Sequence, residues 1–262
     1  MISTLFKQRL LLATVLVACV FSILYCVFTS SWSLLFAMLA YTAVLKVFAG
    51  NIAMHRFFGH RSFKTGPLRE KFLAYSTILL ANRIIAWAIF HRHHHKHSDT
   101  ERDIHSPYIN GFWSNLFAFW WFNDLDFFTN KGCTMLPPRD LLRSPTVVFI
   151  DKHYYKLWTA LILVTLLISW KITVFFLLAP AGCLHFFVGI MNTLSHWRLP
   201  GNYRNYDTAD KSYNSWVLEI ISLGEGFHNN HHQNPNNYTF SEKDFEFDFN
   251  GAIVRLLFDI DK

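Results

Sequence analysis

Residues 10 to 28 read LLLATVLVACVFSILYCVF, a stretch without a single charge. That is close to the ~20 apolar residues that carry a helix across a bilayer. In hydrocarbon the backbone must satisfy its own hydrogen bonds, and a continuous rather than alternating apolar run does so as a helix. This run confines the chain to a helical membrane architecture.

Three further apolar runs are close to the length of a span, at about 33–51, 154–170 and 172–194. Only Lys171 separates the last two, which predicts a tight helical hairpin. Lys46, near the end of the second run, is long enough to snorkel to the interface. No A-x-A-like cleavage site follows the first run, so it reads as a span and not as a signal peptide. Composition agrees: 52% apolar, 18% aromatic and 16% charged, against roughly 25% charged in soluble domains. Residues 73–90 form a fifth apolar stretch, but Asn82 and Arg83 interrupt it, so we read an interfacial or buried helix there. Cys19, Cys26 and Cys183 lie in apolar runs and Cys133 in a loop. With no CxxC pair, all four read as structural.

Two hairpins return the chain to its starting side. The middle and C-terminal segments then share a side with the N-terminus, and both are dense in Arg and Lys within a net charge of +6. The positive-inside rule predicts that this side is cytoplasmic, in a bacterial inner membrane or the endoplasmic reticulum. The predicted fold is an all-α integral membrane protein, residues 1–262 forming one domain. Four transmembrane helices in two hairpins (about 10–51 and 154–194) carry a helical cytoplasmic cap (about 52–153 and 195–262) holding a His-rich dimetal site.

Nine of the fourteen histidines fall in four groups on that side. His55 and His60 sit in MHRFFGH, and His91, His94 and His95 in HRHHH. His196 follows Asn192 in NTLSHW, and His228, His231 and His232 close GEGFHNNHH. Positions i, i+3 and i+4 share a helical face, so each HxxHH predicts three imidazoles aimed at one point. His55 and His60 are five apart, a spacing that suits one α-helical face poorly; they reach two neighbouring metals, or the helix ends between them. His93 and His97 are off the pattern and read as surface or supporting residues. Nine imidazoles with Asn192 are too many for one metal, since a zinc site takes about four ligands; two metals with open positions fit better. Imidazole suits zinc, copper, iron and nickel, so the ion stays open on the residues alone. One ExxH occurs (Glu225, His228), while HExxH, G-x-G-x-x-G, P-loop and G-x-S-x-G motifs are absent.

These boxes, in this order, resemble those of the membrane-bound fatty acid desaturases, and more narrowly the Δ9 acyl-CoA and acyl-lipid branch. The resemblance runs from about residue 45 to 240. It rests on HRFFGHRSF, on HRHHH followed by KHSDTERDIHSP, on NTLSH followed by RNYDTADKSYNSW, and on GEGFHNNHH. It implies two iron ions and oxygen as co-substrate. One iron would use His55, His60, His91 and His95, with Asn192 through water. The other would use His94, His196, His228 and His232, with His231 near one of them. Asp99, Glu101, Asp103, Asp207, Asp210 and Glu225 are the carboxylates expected to hold the outer ring nitrogens, with His105 beside them.

The implied reaction removes a hydrogen atom from each of two adjacent carbons of a saturated fatty acyl chain, carried as a CoA thioester or bound in a lipid, leaving a cis double bond. Expected partners are the lipid bilayer and a separate electron donor: a ferredoxin, a rubredoxin or cytochrome b5. Arg139, Arg143 and Lys152 are its expected contacts, and no nucleic acid is expected. Ala40, Ala43, Trp113 and Trp120 are tunnel-lining candidates; the aromatic segment 111–124 also reads as an interfacial belt. The alternatives are a fatty acyl or sterol hydroxylase on the same site, or a metal transporter or store. Transport requires polar residues deep in the spans, where His185 is the one deep candidate.

Overall fold

The computed structural model describes residues 2–258. Among them no strand forms; isolated β-bridges pair Tyr203 with Asn214 and Asn214 with Phe227. Helix α1 (Ile2–Phe28) and helix α2 (Trp32–Leu45) make the first hairpin. Its turn is short because Ser30 takes a left-handed conformation (φ 53°). Helix α2 runs without a break into a π-helix, Lys46–Gly59. The middle segment then forms α3 (Pro67–Ser76), a 3₁₀ turn (Thr77–Leu80), α4 (Ile84–His97) and the short helices α5 (Phe112–Leu116), α6 (Leu125–Asn130) and α7 (Arg139–Leu142).

The second hairpin is α8 (Pro145–Ile168), then α9 (Trp170–Ile172), a π-helical stretch (Thr173–Leu178) and α10 (Ala179–Leu194). Ser144 caps α8 by accepting from the Val147 amide, and Pro145 opens the helix, where its missing N–H costs nothing. Ser169 turns the hairpin in an extended conformation and caps the following helix. Three short helices close the chain: α11 (Trp216–Ser222), α12 (His228–Gln233) and α13 (Phe249–Leu257).

Among the described residues, three helices are long and apolar enough to cross a membrane: Thr4–Phe28, Trp32–Gly59 and Trp170–Leu194. The expected span at 154–170 is the C-terminal part of α8. That helix begins earlier and carries Asp151, Lys152 and Lys156 in its first half, so only Leu157–Ile168 is uniformly apolar. The 73–90 stretch is two helices meeting at 85°, and the pair together has the length and hydropathy of one broken span. The bend falls at the interruption seen in the sequence. Ala81 is left-handed (φ 55°), Asn82 is buried, and Arg83 forms a two-point ion pair with Asp151.

Helix α10 lies against α1 closely enough that a side chain at Gly182 would collide with the Val15 carbonyl and Cys19. The Cys19 and Cys183 sulfurs are 3.2 Å apart there, as free thiols. The π-helix packs against α4 and α13, and α10 packs against α11.

Candidate metal centre

The π-helix resolves the five-residue spacing. Its i→i+5 register puts residues five apart on one face, and the rings of His55 and His60 come to 5.3 Å. His91 and His95, one turn apart on α4, meet them, and His231 of α12 completes the group. The Nε2 atoms form a chain: His60 to His91 2.6 Å, His91 to His95 3.2 Å, His95 to His231 3.0 Å and His231 to His55 2.9 Å. Within this first group, each residue offers a ligand atom within 4.8 Å of all the others.

His94, His196, His228 and His232 form a second group on the same criterion. The groups adjoin, with the rings of His95 and His232 4.3 Å apart. Neither HxxHH aims all three rings at one point, as the spacing predicted. Residues i and i+4 are not the same direction as i+3, so each helix serves two centres. Helix α4 sends His91 and His95 to the first group and His94 to the second. Helix α12 sends His231 to the first, and His228 and His232 to the second.

The outer ring nitrogens are held by acids. His94 Nδ1 donates to Asp103 at 2.9 Å, His196 Nδ1 to Asp99 at 2.8 Å and His232 Nδ1 to Asp210 at 2.7 Å. His55 Nδ1 donates to Glu225. The acids are themselves fixed. Asp99 also accepts from Ser106 Oγ and the Lys211 amide, Asp103 from the Asp99 and His105 amides, and Asp210 from the Ser212 amide. Burial by itself would raise these carboxyls. The histidine bonds and charges outweigh it and hold Asp99, Asp103 and Asp210 well below the usual carboxylate range. Burial likewise opposes, and Asp99 reverses, the shift of His196, which stands above the usual imidazole value. Burial depresses His228 and His231 far below that value, and His232 to about 4, so these rings are neutral.

His94 Nε2 and His232 Nε2 are buried and have no hydrogen-bond partner, while their Nδ1 atoms are occupied. A buried nitrogen in that state is costly unless something positive meets it. The donor set fits imidazole-preferring transition metals.

Several expected residues lie elsewhere. Glu101 and Asp207 are exposed and bond no histidine; they stand in loops whose other acids point inward. Trp113 is 67% exposed, Ala40 is exposed, and Ala43 does not face the cavity described next. His93 bonds the Arg102 carbonyl and lies beside the His97 ring at 4.6 Å, outside both groups. His185 is buried in α10 and belongs to neither group.

A cavity of about 100 Å³ opens on the site. His55, His91, His105, Asn192, Glu225 and His228 line its polar end, while Met54, Phe90, Trp120, Leu184, Phe187 and Val188 make the rest apolar. His105 packs 4.0 Å from His94 and 4.9 Å from Trp120, ring to ring.

The sequence reading missed five contributors. Trp87 stacks on His91 at 4.4 Å. Lys46 and Asn51 also line the cavity and bond each other at 2.9 Å. Arg92 clamps Asp140 through two nitrogens at 2.8 Å and the Gly59 carbonyl at 2.7 Å, tying α4 to the end of the π-helix. Glu219, buried behind the Gly226 amide, is pushed up to about 8 by burial and by the nearby Asp248 charge. Of these, only the unusual lysine and asparagine at 46 and 51 carried a signal, as polar residues inside an apolar run.

A family model described as fatty acid desaturase matches residues 7–240. Among curated proteins, the chain is 31% identical over 233 residues to an acyl-CoA C20 Delta5-desaturase of Anemone leveillei, covering 87% of this chain and 72% of that one. It is 28% identical to a Delta(9)-fatty-acid desaturase of Caenorhabditis elegans, covering 87% and 68%. To an sn-1 stearoyl-lipid 9-desaturase of Anabaena variabilis it is 29% identical, covering 79% and 74%.

Proposed function

The chain belongs to the fatty acid desaturase family, and from that premise we propose that it introduces a cis double bond, at Δ9, into a saturated fatty acyl chain held as a CoA thioester or in a lipid. Oxygen is the oxidant, and a separate donor (ferredoxin, rubredoxin or cytochrome b5) supplies two electrons. The observation that carries the proposal is the pair of adjoining imidazole groups, with buried unpaired nitrogens, opening into an apolar cavity. The Δ9 position is supported by the activities for which two of the three relatives above are named.

Two iron ions fit the two groups: His55, His60, His91, His95 and His231 would hold one, and His94, His196, His228 and His232 the other, with Asn192 reaching the site through water. Bound there, iron supplies the oxidising power that an unactivated methylene requires and that acid–base side chains lack. The protein's own part is positional. Asp99, Asp103, Asp210 and Glu225 fix the proton on each Nδ1, which leaves Nε2 as the free lone pair and sets the ring orientation. Trp120, Phe90 and Met54 give the methylene chain an apolar bed and keep water away. The bond position follows from where the chain lies, not from a recognised functional group.

The four-span topology remains our reading, with the C-terminal half of α8 as the fourth crossing, residues 1–262 working as one unit and the histidine side facing the cytoplasm. Arg139, Arg143 and Lys152 are exposed, and they suit an acidic electron donor. Expression in a desaturase-deficient host, followed by lipid analysis of double-bond position, tests the proposal. Unsaturated acyl chains at Δ9 are expected. A hydroxylated product, or an unchanged acyl profile with folded, iron-loaded protein, overturns it.

A further inference from the structure

Residues 245–249, FEFDF, are inside out. Phe245, Phe247 and Phe249 are 61%, 62% and 49% exposed, whereas Glu246 and Asp248 between them are 6% and 3% exposed. The acids have clear reasons to face inward. Glu246 accepts from Tyr203 Oη at 2.7 Å and from the Asn205 and Asn230 amides at 2.8 Å. Asp248 accepts from Arg56 Nη2 at 2.9 Å and caps α13 through the Gly251 amide at 2.9 Å. Only 246–248, between the turn ending at Phe245 and the start of α13 at Phe249, lie outside turn and helix, and with both acids fixed inward there the three phenylalanines are left facing out. Facing water, those rings forgo roughly 25 cal/mol for each Å² left unburied.

The same holds for α11, which exposes Val217, Ile220 and Ile221, and for the end of α13, which exposes Leu256. What covers these faces follows from where they are tied. Asn51, inside the span Trp32–Gly59, donates to the Leu223 carbonyl at 2.9 Å and the Ser222 carbonyl at 3.3 Å, at the end of α11. Asn250, at the start of α13, donates to the same Leu223 carbonyl at 2.7 Å. Helix α11 is thus tied directly to the closing turns of an apolar span, and α13 is tied to α11 through the shared Leu223 carbonyl.

We propose that FEFDF, α11 and the end of α13 form a lipid-inserting surface seated in the acyl region of the leaflet that borders the histidine site. The inference rests on the reading of the three apolar helices as membrane-spanning. It has a consequence for the site, because the inward acids grip Arg56, beside His55, and Asn230, beside His231. Lipid contact on one side of the segment braces two histidine boxes on the other.

The test uses the full chain in phosphatidylcholine vesicles brominated at shallow acyl carbons. The four native cysteines, all buried, are replaced by alanine, and a bimane label is placed through Phe247→Cys or Ile220→Cys. Val17→Cys, in α1, marks an embedded position, and Glu101→Cys an exposed one. The Phe247 and Ile220 labels should lose fluorescence as Val17 does, while Glu101 keeps it. If Val17 is quenched and either test label is not, that face meets water or a protein and the inference falls. If Val17 also escapes quenching, the spanning reading fails and takes the inference with it.

Discussion

The two histidine groups are neighbours, but they are built differently. In the second, three of four rings are held by an aspartate on Nδ1. In the first, among the described residues, only His55 has a carboxylate, and the others are placed by the helices that carry them. His60 and His91 depend on the junction of the π-helix with α4, which Arg92 clamps and Trp87 packs. One centre is thus fixed by charge and hydrogen bonds from loops, the other by backbone register and packing. It follows that the two should respond to different perturbations.

The largest expected effect is loss of a ring. His94→Ala removes one member of the second group and leaves Asp103, fully buried, without its partner. Desaturated product should disappear and iron content should halve, with membrane insertion retained; activity that survives would remove His94 from the metal site. Next come the acids. Asp103→Asn and Asp210→Asn should each cost about 10–100-fold in metal affinity or turnover, confined to the second group. Glu225→Gln should do the same to the first group alone. Trp87→Ala should weaken the first group and spare the second. Spectroscopy that resolves the two irons decides this, and equal losses at both would erase the distinction.

Acid provides a third probe, smaller again. His228, His231 and His232 are depressed by burial, the last to about 4, while an unfolded imidazole titrates near ~6.5. Between those values the unfolded chain binds more protons, so their contribution is complete above ~6.5 and declines as pH falls below it. His196, raised through Asp99, has the opposite sign: its contribution is present below ~6.5 and declines as pH rises through its folded value. His60 and His105 are depressed by burial in the same way, so the depressed rings outnumber the raised one, and the metal-free protein should melt at lower temperature at pH ~5 than at pH ~7.5. The acids Asp99, Asp103 and Asp210, held low, lose their contribution only at still lower pH. A melting temperature that rises on acidification in that range would contradict the neutral, buried rings.

The contrast also explains what could be read from the sequence. The three uniform spans were legible as apolar runs, and the nine histidines as clusters at helical spacing. The 3.6-residue period failed twice. It called His55 and His60 mismatched because a π-helix replaces the α-helix there, and the residues that favour i→i+5 bonds leave no pattern in hydropathy. It also merged each HxxHH into one target, because angular differences of a fraction of a turn matter only once a second centre lies beside the first. The expected fourth span blurred because α8 is charged in one half. The tunnel residues were the weakest reading. Ala40 and Trp113 were chosen for size and aromaticity, but which face of a membrane helix meets a cavity depends on its neighbours, and here the lining begins at Lys46, one turn past Ala43.

The carboxylates carry the last and smallest prediction. Asp99, Glu101 and Asp103 lie within five residues, and all are plausible partners for a ring by sequence. The left-handed turn at Asp99 (φ 57°) aims its side chain at His196, and the loop folds back so that Asp103 meets His94, both across a tight hydrogen-bonded bend closed by the Asp99 amide on Asp103 at 2.8 Å. Glu101, at the outside of that bend, is left in water. Asp207 stands in the same relation to Asp210, exposed on the loop that presents it. Surface charges of this kind change stability by no more than about 0.5 kcal/mol. Glu101→Gln and Asp207→Asn should therefore leave product formation, iron content and melting temperature at wild-type values. A loss in either approaching that of Asp103→Asn would mean the loop acids act through the field of the whole loop and not through one bond to one ring, and the second group would then owe its order to the same collective packing as the first.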